Sequence, residues 1–251
     1  MSLSPEAQVI ARWIADPATF VRQVFKAEPD TWQVQLMKDI AQGDRVAVAS
    51  GHGVGKTTAL AWTIYWWLLT HLTSLVACTA PTAHQLSDVL WGELGKWLGK
   101  MPPSLKRMFE LKADSLVARV AGPDQPPSRA LARTARKEQP EAFQGFHAEN
   151  MLFIVDEASG VDDIIFEVGQ GSLSTAGAKL VMTGNPTRLS GYFFEAFHRM
   201  QHMWTTHHVS CLDAKMVSPD FVAQMKAQYG EDSDPYRVRV LGEFPRMSDS
   251  Q

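Results

Sequence analysis

The 251-residue sequence predicts an α/β fold, a central, mostly parallel sheet flanked by helices. Three observations predict it. The apolar run Arg45–Ser50 passes into the glycine-rich turn Gly51-His52-Gly53-Val54-Gly55-Lys56-Thr57, and a helical pattern follows from Thr58 to about His71. Met151-Leu152-Phe153-Ile154-Val155 reads as a fully buried strand with two carboxylates, Asp156 and Glu157, at its end. Lys179-Leu180-Val181-Met182 repeats the strand-then-polar-turn unit and delivers Thr183-Gly184-Asn185-Pro186.

The first unit is the strand–loop–helix context of a phosphate-binding P-loop. Backbone N–H groups over Ser50, Gly51, His52, Gly53, Val54, Gly55, Lys56, Thr57 and Thr58 are expected to curl around phosphate oxygens, and the new helix points its positive end at them. Lys56 is expected to reach the β- and γ-phosphates, and the Thr57 hydroxyl to ligate Mg²⁺. Ser50 replaces the first glycine of the usual pattern, and it is small enough for the turn. At the second unit, ligands of open α/β sheets sit at the carboxyl end of the strands. Asp156 is expected to hold Mg²⁺ and Glu157 to act as general base on the attacking water. Thr183, Gly184 and Asn185 would emerge at the same edge and sense the γ-phosphate or that water. Together these residues read as a P-loop NTPase that takes ATP and Mg²⁺, with at least one strand between the two motif strands.

The remaining elements follow in order. Pro5–Ala15 and Pro17–Lys26 read as two short helices, each opened by proline. Asp30 or Thr31 can cap a third helix with Trp32, Leu36, Met37 and Ile40 on one face. Gln33 lies at its start, and its amide matches the N6/N7 edge of adenine, which makes it the candidate base reader. Ser74–Thr79 reads as a strand and His84–Leu98 as a helix with Leu86, Val89, Leu90, Leu94 and Trp97 inward. Ser115–Ala121 and Ala130–Ala135 read as strands. Further on come a helix (Ser190–Met200), a strand (Thr205–Val209), a helix (Pro219–Tyr229) and a short closing helix ended by Gly242. This order suggests three parts: an N-terminal helical segment (1–44), a P-loop core (45–210) and a C-terminal helical lid or linker (211–251).

Composition narrows the classes. Apolar residues make up 45% and charged residues 20%, which is enough for a sizeable core. Two cysteines do not make a disulfide framework. The apolar stretch Ala59–Leu72 is shorter than the roughly twenty residues of a membrane span, and no signal peptide is read. A soluble protein of the cytoplasm, with no membrane partner, is the expectation. The net charge of −3 hides a basic block: residues 96–137 hold ten Lys/Arg against three acids. Such a block is the footprint of a phosphate-bearing partner or a solvated face. His202, His207 and His208 fit no zinc spacing. The only asparagines, Asn150 and Asn185, stand in no guanine-reading Asn-Lys-x-Asp motif. Glu157 beside Asp156 suits activation of water better than transfer to a bound hydroxyl. ATP hydrolysis is therefore favoured.

With Trp32-Gln33, the Ser50–Thr57 loop, Phe153–Ala158 and Thr183–Pro186 in this order, and Leu241-Gly242-Glu243-Phe244-Pro245 closing, the chain resembles the large (motor) subunit of tailed-phage terminases, its N-terminal ATPase domain. The resemblance implies that Gln33 reads adenine and that Thr183–Asn185 couple hydrolysis to movement. It implies a ring on the procapsid that translocates double-stranded DNA, with the small terminase subunit and the portal protein as partners, in the host cytoplasm. The family's nuclease domain would start where this sequence stops, so no nuclease activity is expected of it. Arg133 and Arg136, ahead of the second motif strand, are the candidates for an arginine supplied to the γ-phosphate, in cis or to a neighbour's site. A helicase-like remodelling ATPase and an ATP-gated assembly module with little turnover are the alternatives.

Overall fold

A computed structural model describes residues 4–122, 124–134, 148–172 and 175–246. Two proline-opened helices, α1 (Pro5–Ala15) and α2 (Pro17–Phe25), precede α3 (Thr31–Gln42), whose cap is Asp30. Strand β1 (Arg45–Ser50) then leads into α4 (Lys56–Thr70), which starts at the lysine of the loop rather than after it. After β2 (Leu75–Thr79), the predicted helix opens as a π-helical turn, Gln85–Leu90, before continuing as α5 (Trp91–Lys100). The one-turn α6 (Pro103–Lys106) leads to β3 (Phe109–Leu111), β4 (Ser115–Ala118) and β5 (Ser128–Ala132). Next come β6 (Met151–Val155), α7 (Asp163–Ser172), β7 (Lys179–Gly184), α8 (Tyr192–Phe197) and β8 (Thr205–Val209). The chain closes with α9 (Pro219–Tyr229), α10 (Asp234–Tyr236) and a second π-helical turn, Arg237–Leu241.

Among the described residues, eight strands form one sheet in the order β3-β4-β5-β2-β6-β7-β1-β8. From β5 to β8 every pairing is parallel, and only the β3–β4–β5 corner is antiparallel. Strand β7 lies between β1 and β6, which is the inserted strand expected of the catalytic-glutamate type of P-loop fold. Period-two alternation splits each central strand between two cores. Val46, Val48, Leu152 and Ile154 face the layer of α2–α5, whereas Ala47, Ala49, Phe153 and Val155 face α7 and α8. Helix α4 is buried all round, so the apolar stretch at its centre is a core helix. No helix among the described residues is long and apolar enough to cross a membrane.

One sequence expectation shifts here, and two elements lie outside what the sequence reading named. Val89, expected inward, is 41% exposed, because the π turn adds a residue and rotates the face that an α-helical period would bury. The edge strand β3 and helix α7 had no clear periodic signal in the sequence.

Candidate functional site: a P-loop at the carboxyl edge of the sheet

Strands β1, β6 and β7 end side by side, so their C-terminal residues share one edge. The loop after β1 needs glycine for two separate reasons. Gly55 has φ +94°, a left-handed conformation that lets the chain turn into α4. Gly51 is needed for space: a Cβ there would lie 2.5 Å from Cys211 Sγ, 2.6 Å from the Val240 carbonyl and 2.9 Å from that of Arg239. The C-terminal π turn therefore seats on the root of the loop. Gly51 N–H donates to the Val209 carbonyl at 2.9 Å, His52 N–H to Arg239 at 2.8 Å, and the Cys211 thiol to the His52 carbonyl at 3.2 Å.

The loop opens onto a cleft of about 370 Å³ lined by His52 to Thr58, Val89, Glu93, Glu157, Asn185 and Met216. Lys56 is buried, and its ammonium donates to Ser50 Oγ at 3.1 Å, with Glu157 Oε1 at 4.0 Å. Ser50, where the usual pattern has glycine, thus gives the lysine a partner, and its own hydroxyl donates to the Gly51 carbonyl at 2.9 Å. The Thr57 hydroxyl has no hydrogen bond among the described residues. The Thr58 hydroxyl donates to Glu93 Oε1 at 2.7 Å. His52 has its pKa lowered, first by packing over the ring and then by the charges of Lys56 and Arg239.

Asp156 is 3% exposed. Its Oδ1 accepts both the Thr183 hydroxyl, at 2.7 Å, and the Glu157 N–H, at 2.9 Å. Burial and then the adjacent Glu157 push the Asp156 carboxyl up, against a downward pull from Thr183 and Lys56. Glu157 itself sits at φ +49°, ψ +44°, a left-handed conformation that costs a non-glycine residue on the order of 1 kcal/mol or more. That backbone turns its carboxylate out of the strand direction and into the cleft. Asn185 donates to the Ser50 carbonyl at 2.7 Å, linking the end of β7 to the end of β1. Gly184 lets this crossing lie flat, since a Cβ there would meet the Ala158 nitrogen at 3.1 Å.

Gln33 departs from expectation. Its Oε1 accepts the Asp30 N–H at 2.8 Å, completing the capping box of α3, and its Nε2 donates to the Gly55 carbonyl at 3.1 Å. At 2% exposure it stands behind the P-loop, as a brace, with its amide turned to protein rather than to the cleft. Arg133 follows β5 on the same sheet edge, outside the cleft, where it lies 3.7 Å from Asp114 and donates to the Ala132 carbonyl at 2.7 Å. Arg136 lies outside the described residues.

Sequence reasoning missed Glu93. Its carboxylate accepts the Thr58 hydroxyl, the Trp97 indole at 2.7 Å and the Lys96 ammonium at 3.0 Å. Burial pushes it up, but these three donors together hold it below the usual carboxylate range. The signal available was its place four residues after Val89, on one helix face.

No protein-family model matches the chain. The probable terminase large subunit of Enterobacteria phage P7 is 28% identical over 250 residues, covering 94% of this chain and 49% of that relative. The ATPase domain of the large terminase of Thermus phage P74-26 superposes with a TM-score of 0.71, at 15% identity, over 91% of this chain and 99% of that one. The fold is that of a terminase ATPase domain. The large terminase of the thermophilic bacteriophage D6E, solved in complex with ADP, gives a TM-score of 0.69 at 15% identity, over 86% of this chain and 54% of that one. A D6E complex with ATP-gamma-S gives 0.67 at 15% identity, over 86% and 53%. The chain thus spans about half the length of the curated terminase it matches.

Proposed function

We propose that this chain binds ATP with Mg²⁺ and hydrolyses it, as the ATPase part of a terminase motor that drives double-stranded DNA into a viral procapsid. The reading is carried by one observation: Lys56 of the glycine-rich loop faces Ser50 and Glu157, while the Thr183–Asp156 and Asn185–Ser50 hydrogen bonds tie together the ends of the adjacent strands β6, β7 and β1 beside it. Residues 51–58 present their N–H groups to the phosphates, and Lys56 exchanges Ser50 for the β- and γ-phosphate oxygens. Thr57 and Asp156 fit a magnesium ion. They offer a hydroxyl without an internal partner and a buried carboxylate whose Oδ2 takes neither of its hydrogen bonds, and Mg²⁺ takes few protein oxygens beside those of phosphate. When bound, the ion neutralises charge on the β- and γ-phosphates. Glu157 accepts the proton of the attacking water, and its left-handed backbone aims it there.

Thr183 and Asn185 couple the two motif strands, one through Asp156 and the other through the loop carbonyl. Of the three parts 1–44, 45–210 and 211–251, the first braces the loop through Gln33, the second carries the ATPase motifs, and the third covers the loop root through the Arg237–Leu241 turn. Arg133 or Arg136 serves the γ-phosphate, most simply that of a neighbouring subunit in a ring, since Arg133 is engaged outside its own cleft. The small terminase subunit and the portal protein are the further partners. The similarity to a phage terminase large subunit and to a terminase ATPase domain supports this reading.

The deciding experiment is turnover of Glu157→Gln with Mg²⁺ and saturating ATP. A loss of about 10²–10⁴ in kcat is expected, with nucleotide still bound. A kcat equal to the parent's would overturn the assignment. Turnover per chain measured across protein concentration tests the trans arginine: a rise supports it, and a flat, appreciable rate removes it.

A further inference from the structure

The Gln33 amide is engaged behind the loop by Asp30 and Gly55, and the feature beside it is apolar. Met216, in the loop between β8 and α9, is 59% exposed. A Cβ on Gly55 would meet Met216 Sδ at 2.7 Å and Gln33 Nε2 at 2.9 Å, so the three residues meet at one point of the rim. The loop is held there. Lys215 N–H donates to Asp30 Oδ2 at 2.7 Å, and its ammonium lies 3.7 Å from Asp30 Oδ1. Asp30 is 5% exposed and caps α3, so the helix start that braces the P-loop also places Met216. Val89, on the π turn, lines the same cleft. Exposed apolar side chains scattered singly need no explanation. Here the two exposed ones share a cleft whose other walls are the glycine-rich loop, with Val54 fully buried, and polar groups.

We propose that Met216, with Val89 on the same cleft, forms an apolar platform for the face of the purine base, so that the site reads the base by contact rather than by its hydrogen-bonding edge. This rests on the nucleotide-binding reading above. A polarisable thioether packs favourably on an aromatic ring. Every base presents a π-face, so a platform holds adenine and guanine alike.

The test titrates the full chain with ATP, GTP and inorganic triphosphate by calorimetry, beside Met216→Ala and Met216→Leu. The parent is expected to bind ATP and GTP within about tenfold of each other. Met216→Ala weakens both by about three- to tenfold, and triphosphate by less than about twofold. Met216→Leu, which keeps the apolar bulk, restores most of the loss. Three results would overturn the platform: unchanged ATP affinity in Met216→Ala, a triphosphate loss equal to the ATP loss, or a parent preference for ATP beyond about a hundredfold. A parent that binds neither ATP nor triphosphate overturns the nucleotide-binding reading itself, before any substitution is made.

Discussion

Thr183 donates its hydroxyl to Asp156 across 2.7 Å, and the same carboxylate oxygen accepts the Glu157 N–H, so one atom ties the ends of β6 and β7 together. That carboxylate is held at a cost. Burial raises its pKa above its ordinary 3.8, so the folded protein takes up this proton more readily than the unfolded chain. The empty fold therefore loses stability as pH rises from that ordinary value through the raised one. Asp156→Asn keeps the acceptor for Thr183 and removes the buried charge. It should raise the thermal midpoint of the nucleotide-free protein at pH 7 while lowering Mg-ATP turnover by more than about a hundredfold. Calorimetric melting and a steady-state assay on the same preparation check both halves.

Asn185 makes the second tie, to the Ser50 carbonyl. Asn185→Ala leaves that buried carbonyl without its donor, at a cost of about 1–3 kcal/mol. Urea titration should show the loss, and Asn185→Asp should be worse, since it sets a carboxylate against a carbonyl oxygen.

Gly51 should tolerate no side chain. Two of the three atoms its Cβ would meet are backbone oxygens, so the clash has no flexible partner to absorb it. Gly51→Ala is expected to cost about 3 kcal/mol. Adding Cys211→Ala should recover only part of the denaturation midpoint, because the Val240 and Arg239 carbonyls remain.

His71 reports on acid stability. It ends α4 stacked on Trp67, with ring centroids 3.8 Å apart, and burial holds its pKa down to about 4, against 6.5 for the ordinary group. The unfolded chain thus binds a proton below pH 6.5 that the fold resists. Its contribution is complete above that pH and is lost as pH falls toward 4. The loss is on the order of 2 kcal/mol after allowance for partial exposure. His71→Phe should flatten this part of the stability–pH curve.

Much of this architecture is legible in the sequence because local and global signals agree there. The runs at β1, β6 and β7 are short and apolar and end in polar turns, and Gly242 ends the last helical turn at φ +69°. What was illegible depends on partners far away in the chain. Gly51 reads as a phosphate-loop residue, yet its small size is demanded by Cys211 and Val240. Gln33 has the chemistry to read a base, but its amide is taken up by Asp30 and Gly55. Val89 has helical spacing, and a π turn moved it outward. Met216 sits in a loop whose path is fixed by Asp30, which no periodicity reveals.

The seating of the Arg237–Leu241 turn on Gly51 and His52 also sets an order of events in synthesis. The phosphate loop is made early, but a wall of its root arrives only with the far later turn Arg237–Leu241. A growing chain shorter than Gly242 carries the whole motif and lacks its closure. Nucleotide binding on the ribosome should therefore begin only once the C-terminal turn has emerged, and ligand protection then times the completion of the fold.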